Sequence, residues 1–414
     1  MKKNVLVVGA GGVAHVVAHK CAQHNDVLGD ICIASRKIEK CDAIIESIKR
    51  KNSLKDKSKK LHSRKLDAMD VASTVKLIKE TNSQIIINLG TAYINMSVLE
   101  ACIQAGNVCY MDTAIHEEPD KVCEDPPWYG NYEWKRKDRC KEKAVTAILG
   151  AGFDPGVVNA YAAYAVKHLF DKIDTIDIMD VNAGNHGKFF ATNFDPEINF
   201  REFTKVWTYV DRKWIEEKVH GVKKIYDFPV VGKMPIYLTG HDELHSLYKN
   251  IDANSVRFWM GFGDHYLNVF NVLTQVGMTS EKPVKTAEGI EVVPLKVLKA
   301  VLPDPLSLAP NYTGKTCIGD LIKGQKNGKD KTVFIYNNCD HHDCYLEMES
   351  QAICYTAGVP AVAAAILVAQ DKWDTKTMVN VEELDPDPFL DLLNKIGLPT
   401  KIQDPALKSE MLPA

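Results

Sequence analysis

The sequence lacks the segments that would insert a protein into a membrane or direct it out of the cell. No apolar run approaches the roughly 20 residues that span a bilayer. The apolar run at the N-terminus covers only residues 5–8, which is too short for the core of a secretory signal. We therefore expect a soluble protein with no membrane partner.

The sequence also lacks the charge excess of a nucleic-acid-binding protein. Its formal net charge is -3, which gives no overall attraction to nucleic acid. Residues 49–65 carry nine Lys or Arg residues against Asp56 alone, but no aromatic side chain lies among them to stack on bases. A solvated connection is the favoured interpretation of this stretch, and we expect no nucleic-acid partner.

The cysteines show neither a disulfide framework nor a zinc site. They number 11, they are scattered, and no CxxC pair occurs. This distribution is typical of free thiols in a reducing compartment, so it predicts a cytoplasmic protein. Residues 339–344 (Cys-Asp-His-His-Asp-Cys) offer metal-compatible atoms, but adjacent side chains rarely point to one centre, and we expect no metal.

At 414 residues the chain is long for a single core, and its first 150 residues alternate between strand-like and helix-like patterns. Six candidate strands cover residues 5–8, 30–34, 61–66, 84–89, 108–111 and 145–149. The helix-like stretches between them are 12–24, 38–51, 71–79, 95–105 and 132–143. This alternation predicts an α/β fold with a doubly wound parallel sheet of the Rossmann type.

The remaining chain predicts a second, α+β domain over residues 151–344. A helical run at 157–169 is followed by strand-like segments at 175–181, 256–262 and 332–336, with long irregular connections between them. Residues 345–373 again have a helix-like pattern, and residues 361–369 are apolar enough to be buried. We expect the C-terminal segments, about 345–414, to return and complete the first domain, 1–150.

A glycine-rich turn follows the first strand and opens the first helix. Gly9 permits the tight turn, Gly11 has no Cβ to block a diphosphate, and the helix that starts at Gly12 and Val13 offers N–H groups to it. Glycines in this strand-turn-helix context predict a dinucleotide site. A simple tight turn is the alternative.

The end of the second strand predicts which dinucleotide is bound. An NAD enzyme usually places Asp or Glu there, and this chain has Ser35 and Arg36 instead. Arg36 can bind a 2′-phosphate with its planar fork, and Ser35 can donate to it, so we expect NADP. At the other strand ends, Asn88, Gly90, Thr91 and Thr113 are predicted to flank the ribose and nicotinamide.

Several motifs together resemble the saccharopine dehydrogenase family of the reductase type. They are residues 7–14, 86–90, 110–114, 150–156 and 356–361, and the match covers almost the whole chain. Within that family, residues 179–184, 190–197 and 258–264 are most similar to members that form carboxynorspermidine or carboxyspermidine. The resemblance implies that L-aspartate β-semialdehyde condenses with 1,3-diaminopropane or putrescine and that NADPH reduces the imine. It also implies a homodimer formed through the sheet of the central domain.

A substrate with two amines calls for carboxylates and an aromatic wall. The candidate acids are Asp112, Asp154, Asp195 and Asp264, and the candidate aromatic residues are Phe194 and Trp259. The substrate carboxylate needs a cation, for which Lys188, Arg201 or Arg257 are candidates. Loss of water from the carbinolamine needs a general acid, and Asp154, His186 and His241 remain open for that role.

Two alternative functions remain. A reductase of the same family that forms saccharopine or a homospermidine-related compound would need more Arg and Lys in its central pocket. A non-catalytic NADP-binding sensor would not oxidise NADPH when an aldehyde acid and a diamine are supplied.

Overall fold

The computed structural model describes residues 2–118, 121, 124–201 and 206–404, with the side chains of residues 198 and 201 outside the description. The first part alternates strands with helices, as the apolar runs between polar turns predict. Its elements are β1 (Asn4–Val8), α1 (Gly12–Gln23), β2 (Ile31–Ser35), α2 (Ile38–Arg50), β3 (Leu61–Lys65), α3 (Val71–Glu80), β4 (Ser83–Asn88), α4 (Asn95–Ala105), β5 (Cys109–Met111), α5 (Trp128–Asn131), α6 (Lys137–Glu142) and β6 (Thr146–Leu149).

The central part is rich in strands. Its elements are α7 (Val157–Tyr164), β7 (Lys172–Asn182), α8 (Pro196–Arg201), β8 (Val206–Val210), β9 (Lys213–Glu217), β10 (Lys223–Phe228), β11 (Gly232–Thr239), α9 (Leu244–Asn250), β12 (Ser255–Gly261), α10 (Asp264–Gln275), β13 (Val284–Lys285), β14 (Glu291–Val292), α11 (Pro294–Val301), β15 (Lys315–Lys326) and β16 (Lys329–Asp340). The C-terminal part contains α12 (His341–Met348), α13 (Ala352–Ala369), β17 (Met378–Asn380), α14 (Pro386–Ile396) and β18 (Lys401–Gln403).

The first sheet is parallel and has the strand order β17-β6-β5-β4-β1-β2-β3. The order reverses at β1, where an open α/β sheet forms its ligand crevice. The predicted Rossmann-type fold class is confirmed. The seventh strand, β17, comes from the C-terminal part of the chain.

The second sheet is mixed, with the order β10-β11-β12-β7-β15-β16-β18, and β8 and β9 extend it from β12. Strands lie at all three predicted positions, in β7, β12 and β16. The expectation of long irregular connections was wrong where β8 to β11 and β15 lie. β9 and β10 are short and carry many exposed polar side chains, so they lack a clear apolar alternation.

Strand alternation gives the second sheet two distinct faces. On the inner face, Ile178 of β7 and Ile322 of β15 belong to the large core shared with α7 and α13. On the outer face, Trp259 of β12 and Phe334 of β16 belong to a separate core that includes Tyr226 of β10. Neighbouring residues of one strand therefore point into different environments.

Helix α13 is the one described element that by length and composition alone could cross a membrane, and 83 % of it is buried within the protein. It packs against α1 at close range, since a Cβ on Gly358 would lie 2.9 Å from Val16 Cγ1. Such burial is what the core helix of a globular protein shows. The sequence-based expectation that no apolar run approaches the length of a membrane span did not anticipate this 18-residue helix.

Candidate functional site

The turn between β1 and α1 has the shape that a dinucleotide diphosphate needs. Gly9 has a φ of +120°, and a Cβ on it would lie 2.6 Å from the carbonyl oxygen of Leu89. Gly11 faces open space, since no other atom lies within 4 Å of the position of its missing Cβ. No side chain caps the start of α1, so its first N–H groups are available to phosphate oxygens. These residues fit the diphosphate of NADP.

Gly12 and Val13 differ from Gly11, because they face α13. A Cβ on Gly12 would lie 2.5 Å from Cys354 Sγ. The carbonyl oxygen of Val13 lies 3.2 Å from the place where a Cβ on Gly358 would be. Close packing of two helices thus explains the glycine at position 12. A contact between the cofactor and the main-chain N–H groups of Gly12 and Val13 stays a prediction.

The end of β2 presents the residues predicted to select NADP. The Ser35 hydroxyl donates to the Lys37 carbonyl oxygen at 2.8 Å and accepts from the Lys37 N–H at 3.2 Å. Arg36 is exposed, and no side chain in the described ranges pairs with it. The guanidinium of Arg36 is therefore available to a phosphate, while the Ser35 hydroxyl shapes the turn.

The ends of β4 and β5 adjoin this turn. Asn88 is buried, and its amide donates to Asn95 Oδ1 at 2.8 Å and accepts from the N–H of Gly90 at 3.3 Å. Thr91 precedes a short 3-10 turn at Ala92–Ile94. Thr113 lies against Gly152, where an added Cβ would meet Thr113 Cβ at 3.3 Å. Their contact with the ribose and nicotinamide stays a prediction.

Asp112 lies at the end of β5 but does not open onto a cleft. It is 1 % exposed, and its carboxyl group accepts from Tyr110 Oη and from the N–H of Gly150, both at 2.8 Å. Burial raises the pKa of Asp112 to about 7, and the Asp242 carboxylate adds to that effect. Asp112 thus ties β5 to the loop after β6, and a substrate contact would have to replace one of these bonds.

Four carboxyl groups and one imidazole converge between the two sheets, and we call Asp154, Asp180, His241, Glu243 and Asp320 the acidic cluster. Asp154 comes from the loop after β6, Asp180 from β7, His241 and Glu243 from the connection after β11, and Asp320 from β15. Asp154 hydrogen-bonds to Asp180. In the described part of the chain no group of His, Cys, Asp and Glu is arranged to hold a metal ion.

Burial dominates the electrostatics of the cluster. It raises the pKa of Asp180, and the Glu243 carboxylate acts in the same direction, whereas His241 and the hydrogen bond from Asp154 oppose the shift. Asp320 is completely buried, and burial with the Glu243 and Asp154 carboxylates raises its pKa well above the usual range. The cluster is therefore a place where protons are held and where a cation would be stabilised.

His241 is fixed on two sides. Its Nδ1 lies 2.6 Å from Glu243 Oε2, and its ring stacks on Phe258 with the centroids 4.0 Å apart and the planes at 12°. The aromatic neighbour of the cluster is therefore Phe258. Trp259, which the sequence predicts beside Phe194 as an aromatic wall, lies instead on the outer face and donates from Nε1 to Asp177 Oδ1 at 2.8 Å.

Other predicted substrate residues lie apart from the cluster. Asp195 pairs with Lys299 at 2.7 Å, and Asp264 is an 81 % exposed side chain at the start of α10. Phe194 is half-buried in the same loop as Asp195, and its carbonyl accepts from the Thr192 hydroxyl at 2.8 Å. The side chain of Arg201 lies outside the described residues.

The residues predicted to bind the substrate carboxylate, and the candidate general acid His186, also lie outside the acidic cluster. Arg257 pairs with Asp177 on the outer face at 2.6 Å. His186 lies against Tyr312, with the ring centroids 5.4 Å apart, and Lys188 follows it in the same loop. Among the three general acids considered, Asp154 and His241 are the two that belong to the acidic cluster.

Sequence reasoning missed Asp180, Glu243 and Asp320 as site residues. Two of them carry a recognisable signal, since Asp180 and Asp320 follow isoleucines at the inward positions of their strands. A charged residue that interrupts an apolar alternation is the pattern that would have found them. Glu243 lies in a connection and shows no such signal.

Fold and cofactor turn together define an NADP-dependent oxidoreductase with a second, mixed sheet. Residues 5–148 match the saccharopine dehydrogenase NADP binding domain, and residues 152–398 match the saccharopine dehydrogenase C-terminal domain. The chain belongs to the saccharopine dehydrogenase family. The predictions of the family and of NADP as the cofactor are confirmed.

Two relatives match along almost their full length. The chain is 51 % identical over 401 residues to carboxynorspermidine synthase of Vibrio alginolyticus, which covers 97 % of each protein. It is 47 % identical over 397 residues to carboxyaminopropylagmatine dehydrogenase of Synechocystis sp., covering 95 % of this chain and 96 % of that one. Among solved structures, saccharopine dehydrogenase (L-Glu forming) of Saccharomyces cerevisiae has a similar fold, with a TM-score of 0.67 and 14 % identity, covering 97 % of this chain and 100 % of that one.

Proposed function

We propose that this enzyme condenses L-aspartate β-semialdehyde with 1,3-diaminopropane or putrescine and reduces the imine to carboxynorspermidine or carboxyspermidine, a reaction of polyamine biosynthesis. The observation that carries the proposal is the acidic cluster between the two sheets. The name of the Vibrio alginolyticus relative supports it.

The charge of the cluster favours a diamine over a saccharopine-type substrate. A diamine has two positively charged nitrogens, and the imine formed from it is reduced best as a cation. Nearby carboxylates stabilise the positive charge of the diamine and that of the imine. A saccharopine-type substrate brings additional carboxylates, which Asp180, Glu243 and Asp320 would repel. The acidic cluster therefore argues against that alternative.

NADPH, when bound at the turn between β1 and α1, supplies the hydride. The protein itself must hold the imine and manage its proton. Asp154 and Asp180 share a hydrogen bond, which requires a proton between two carboxyl groups. Asp154 is half-buried and can give this proton to the carbinolamine hydroxyl, so that the C–O bond breaks and water leaves with the proton. The remaining carboxylate then faces the iminium cation.

The experiment is a panel of amines with L-aspartate β-semialdehyde, followed by the absorbance of NADPH. We expect oxidation only when both an aldehyde acid and a diamine are present, with the two diamines named above as the best amines. Turnover with lysine and an aldehyde acid, together with none for diamines, would contradict the proposal. No turnover with any pair would favour the sensor.

A second candidate amine follows from the Synechocystis sp. relative, whose name contains agmatine. Agmatine ends in a guanidinium, a cation that an acidic cluster also attracts. The same panel with agmatine added distinguishes the two, since the higher kcat/KM identifies the preferred amine.

We also propose that the enzyme is a cytoplasmic homodimer. All ten cysteines in the described part of the chain are buried free thiols, which fits a reducing compartment. Four exposed valines on α10, α11 and the residues that follow them offer apolar surface to a second copy: Val272, Val276, Val297 and Val301. Light scattering after size-exclusion chromatography tests the dimer, and a monomer mass at micromolar concentration would contradict it.

A further inference from the structure

Asp320 occupies a position where its strand otherwise buries apolar side chains. Ile318 and Ile322, its neighbours on the inner face, belong to the large core. The strand register places Asp320 opposite Ile178 of β7 and Ile335 of β16. Its exposure is 0 %. A carboxyl group in such surroundings destabilises the fold unless it has a partner.

Asp320 has no such partner in the described protein. Neither Oδ1 nor Oδ2 of Asp320 has a hydrogen-bond partner, and the same is true of Oε1 of Glu243, which is also fully buried. The other oxygen of Glu243 is engaged by His241. Three buried carboxyl oxygens thus lie in the acidic cluster without a donor, and buried polar groups normally have one.

The surrounding charge identifies the kind of donor that is missing. The groups that act on Asp320 are the carboxylates of Glu243 and Asp154, so an anion would be repelled and a cation attracted. An ammonium carries three N–H donors on one nitrogen, which equals the number of unpaired oxygens. The raised pKa of Asp320 favours its protonated form in the free protein, and an ammonium can replace the charge of that proton, whereas a neutral ligand cannot.

We propose that Asp320, together with Glu243 Oε1, binds the distal ammonium of the amine substrate and makes the enzyme select a diamine over a monoamine. The reacting nitrogen of the diamine then lies toward Asp154 and Asp180, the half-buried acids of the cluster. Asp320 forms the floor of the site and takes no part in the bond that forms or in the reduction. This inference rests on the proposed function and names the residue that determines which class of amine the enzyme accepts.

The test compares Asp320→Asn with the wild-type enzyme on 1,3-diaminopropane and on propylamine, each with L-aspartate β-semialdehyde and NADPH. Propylamine lacks the distal ammonium, so only the diamine should respond to the substitution. We expect kcat/KM for the diamine to fall about 100-fold, mainly through KM, because a buried charged pair is lost. The value for propylamine should stay within about threefold, because it makes no such pair.

The control is Asp177→Asn in the same sheet. Asp177 is 2 % exposed and so almost as deeply buried as Asp320, but it lies on the outer face and pairs with Arg257. We expect this variant to keep the wild-type ratio between the two amines. If Asp320→Asn does not fold, Asp320→Leu replaces it, because leucine matches the flanking isoleucines in size.

An equal fall for both amines, or an unchanged KM for the diamine, would overturn the role of Asp320. If the wild-type enzyme turns over neither amine, the proposed function has failed, and calorimetry still tests Asp320 separately. In that titration of 1,3-diaminopropane into the NADP-bound protein, binding at least about tenfold weaker for Asp320→Asn supports the site, since each tenfold is 1.4 kcal/mol. Equal binding by both proteins overturns it.

Discussion

Nδ1 of His241 lies 2.6 Å from Oε2 of Glu243, and the glutamate is fully buried behind it. A carboxylate in this position fixes which ring nitrogen carries a proton and holds the ring against Phe258. The orientation of His241 toward Asp180 therefore depends on a carboxylate that is fully buried from solvent.

Glu243→Gln should lower kcat by about 10- to 100-fold, because the amide orients the imidazole but no longer stabilises its charge. The variant keeps the size of the side chain, so its thermal midpoint should stay close to the wild type. Steady-state kinetics with the diamine and NADPH measure the effect. An unchanged kcat across the pH range would show that His241 needs no buried partner.

Gly11→Ala should weaken NADPH binding by at least about tenfold without loss of stability, because its Cβ would enter the space of the diphosphate and meet no protein atom. Calorimetry of NADPH binding and a thermal melt provide the two readouts. Gly263→Ala is the matched control, since Gly263 also precedes a helix and faces open space. Equal NADPH affinity in both variants would move the diphosphate away from this turn.

Gly12→Ala should behave differently from Gly11→Ala, because its Cβ would lie 2.5 Å from Cys354 Sγ. Overpacking of this kind lowers the free energy of unfolding by about 1–3 kcal/mol. Denaturant unfolding measures the loss, and adding Cys354→Ala should recover part of it by removing the sulfur. If the double variant is as unstable as the sum of the single ones, the two positions are not in contact.

The sequence predicts the features that depend on local patterns and misses those that depend on the pairing of distant strands. The alternation of strands and helices and the motif at Gly9 predicted the first sheet and its cofactor, because both depend on local patterns. Asp320 of β15 and Glu243, from the connection after β11, are brought near each other by the pairing of distant strands, which no local pattern specifies. Trp259 is expected near the substrate from the sequence, but the register of β12 places its side chain on the outer face and that of Phe258 on the inner face.

Substitution of Ser35 and Arg36 together by alanine should reduce the preference for NADPH over NADH. Arg36 is exposed and has no partner in the described ranges, so its loss should raise the Kd of NADPH about tenfold or more while that of NADH changes little. The Kd values of both cofactors, measured by fluorescence titration, give the ratio. Lys57→Ala, which removes an exposed charge from the connection before β3, should leave the ratio unchanged. A double variant with the original ratio would reject the assignment.

Glu133 makes the stability of the protein depend on pH. It is fully buried, its Oε1 accepts from the N–H of His116 at 2.7 Å, and its Oε2 has no partner in the described part of the chain. Burial raises its pKa to about 8 from an ordinary value of 4.5, with the Asp112 carboxylate adding to the shift. The folded state thus holds this proton more tightly than the unfolded state. Its contribution to stability is complete below pH 4.5 and is lost as the pH rises toward 8.

Between pH 4.5 and neutral pH the loss should be on the order of 3 kcal/mol. Glu133→Gln has no proton to lose, so its free energy of unfolding should fall less steeply over this range than that of the wild type. Urea unfolding at a series of pH values gives both curves, and Glu142→Gln, an exposed residue of α6, provides the matched control. Parallel curves for the wild type and Glu133→Gln would mean that Glu133 keeps its charge in the folded protein, in which case a cation or water must reach its unpaired oxygen.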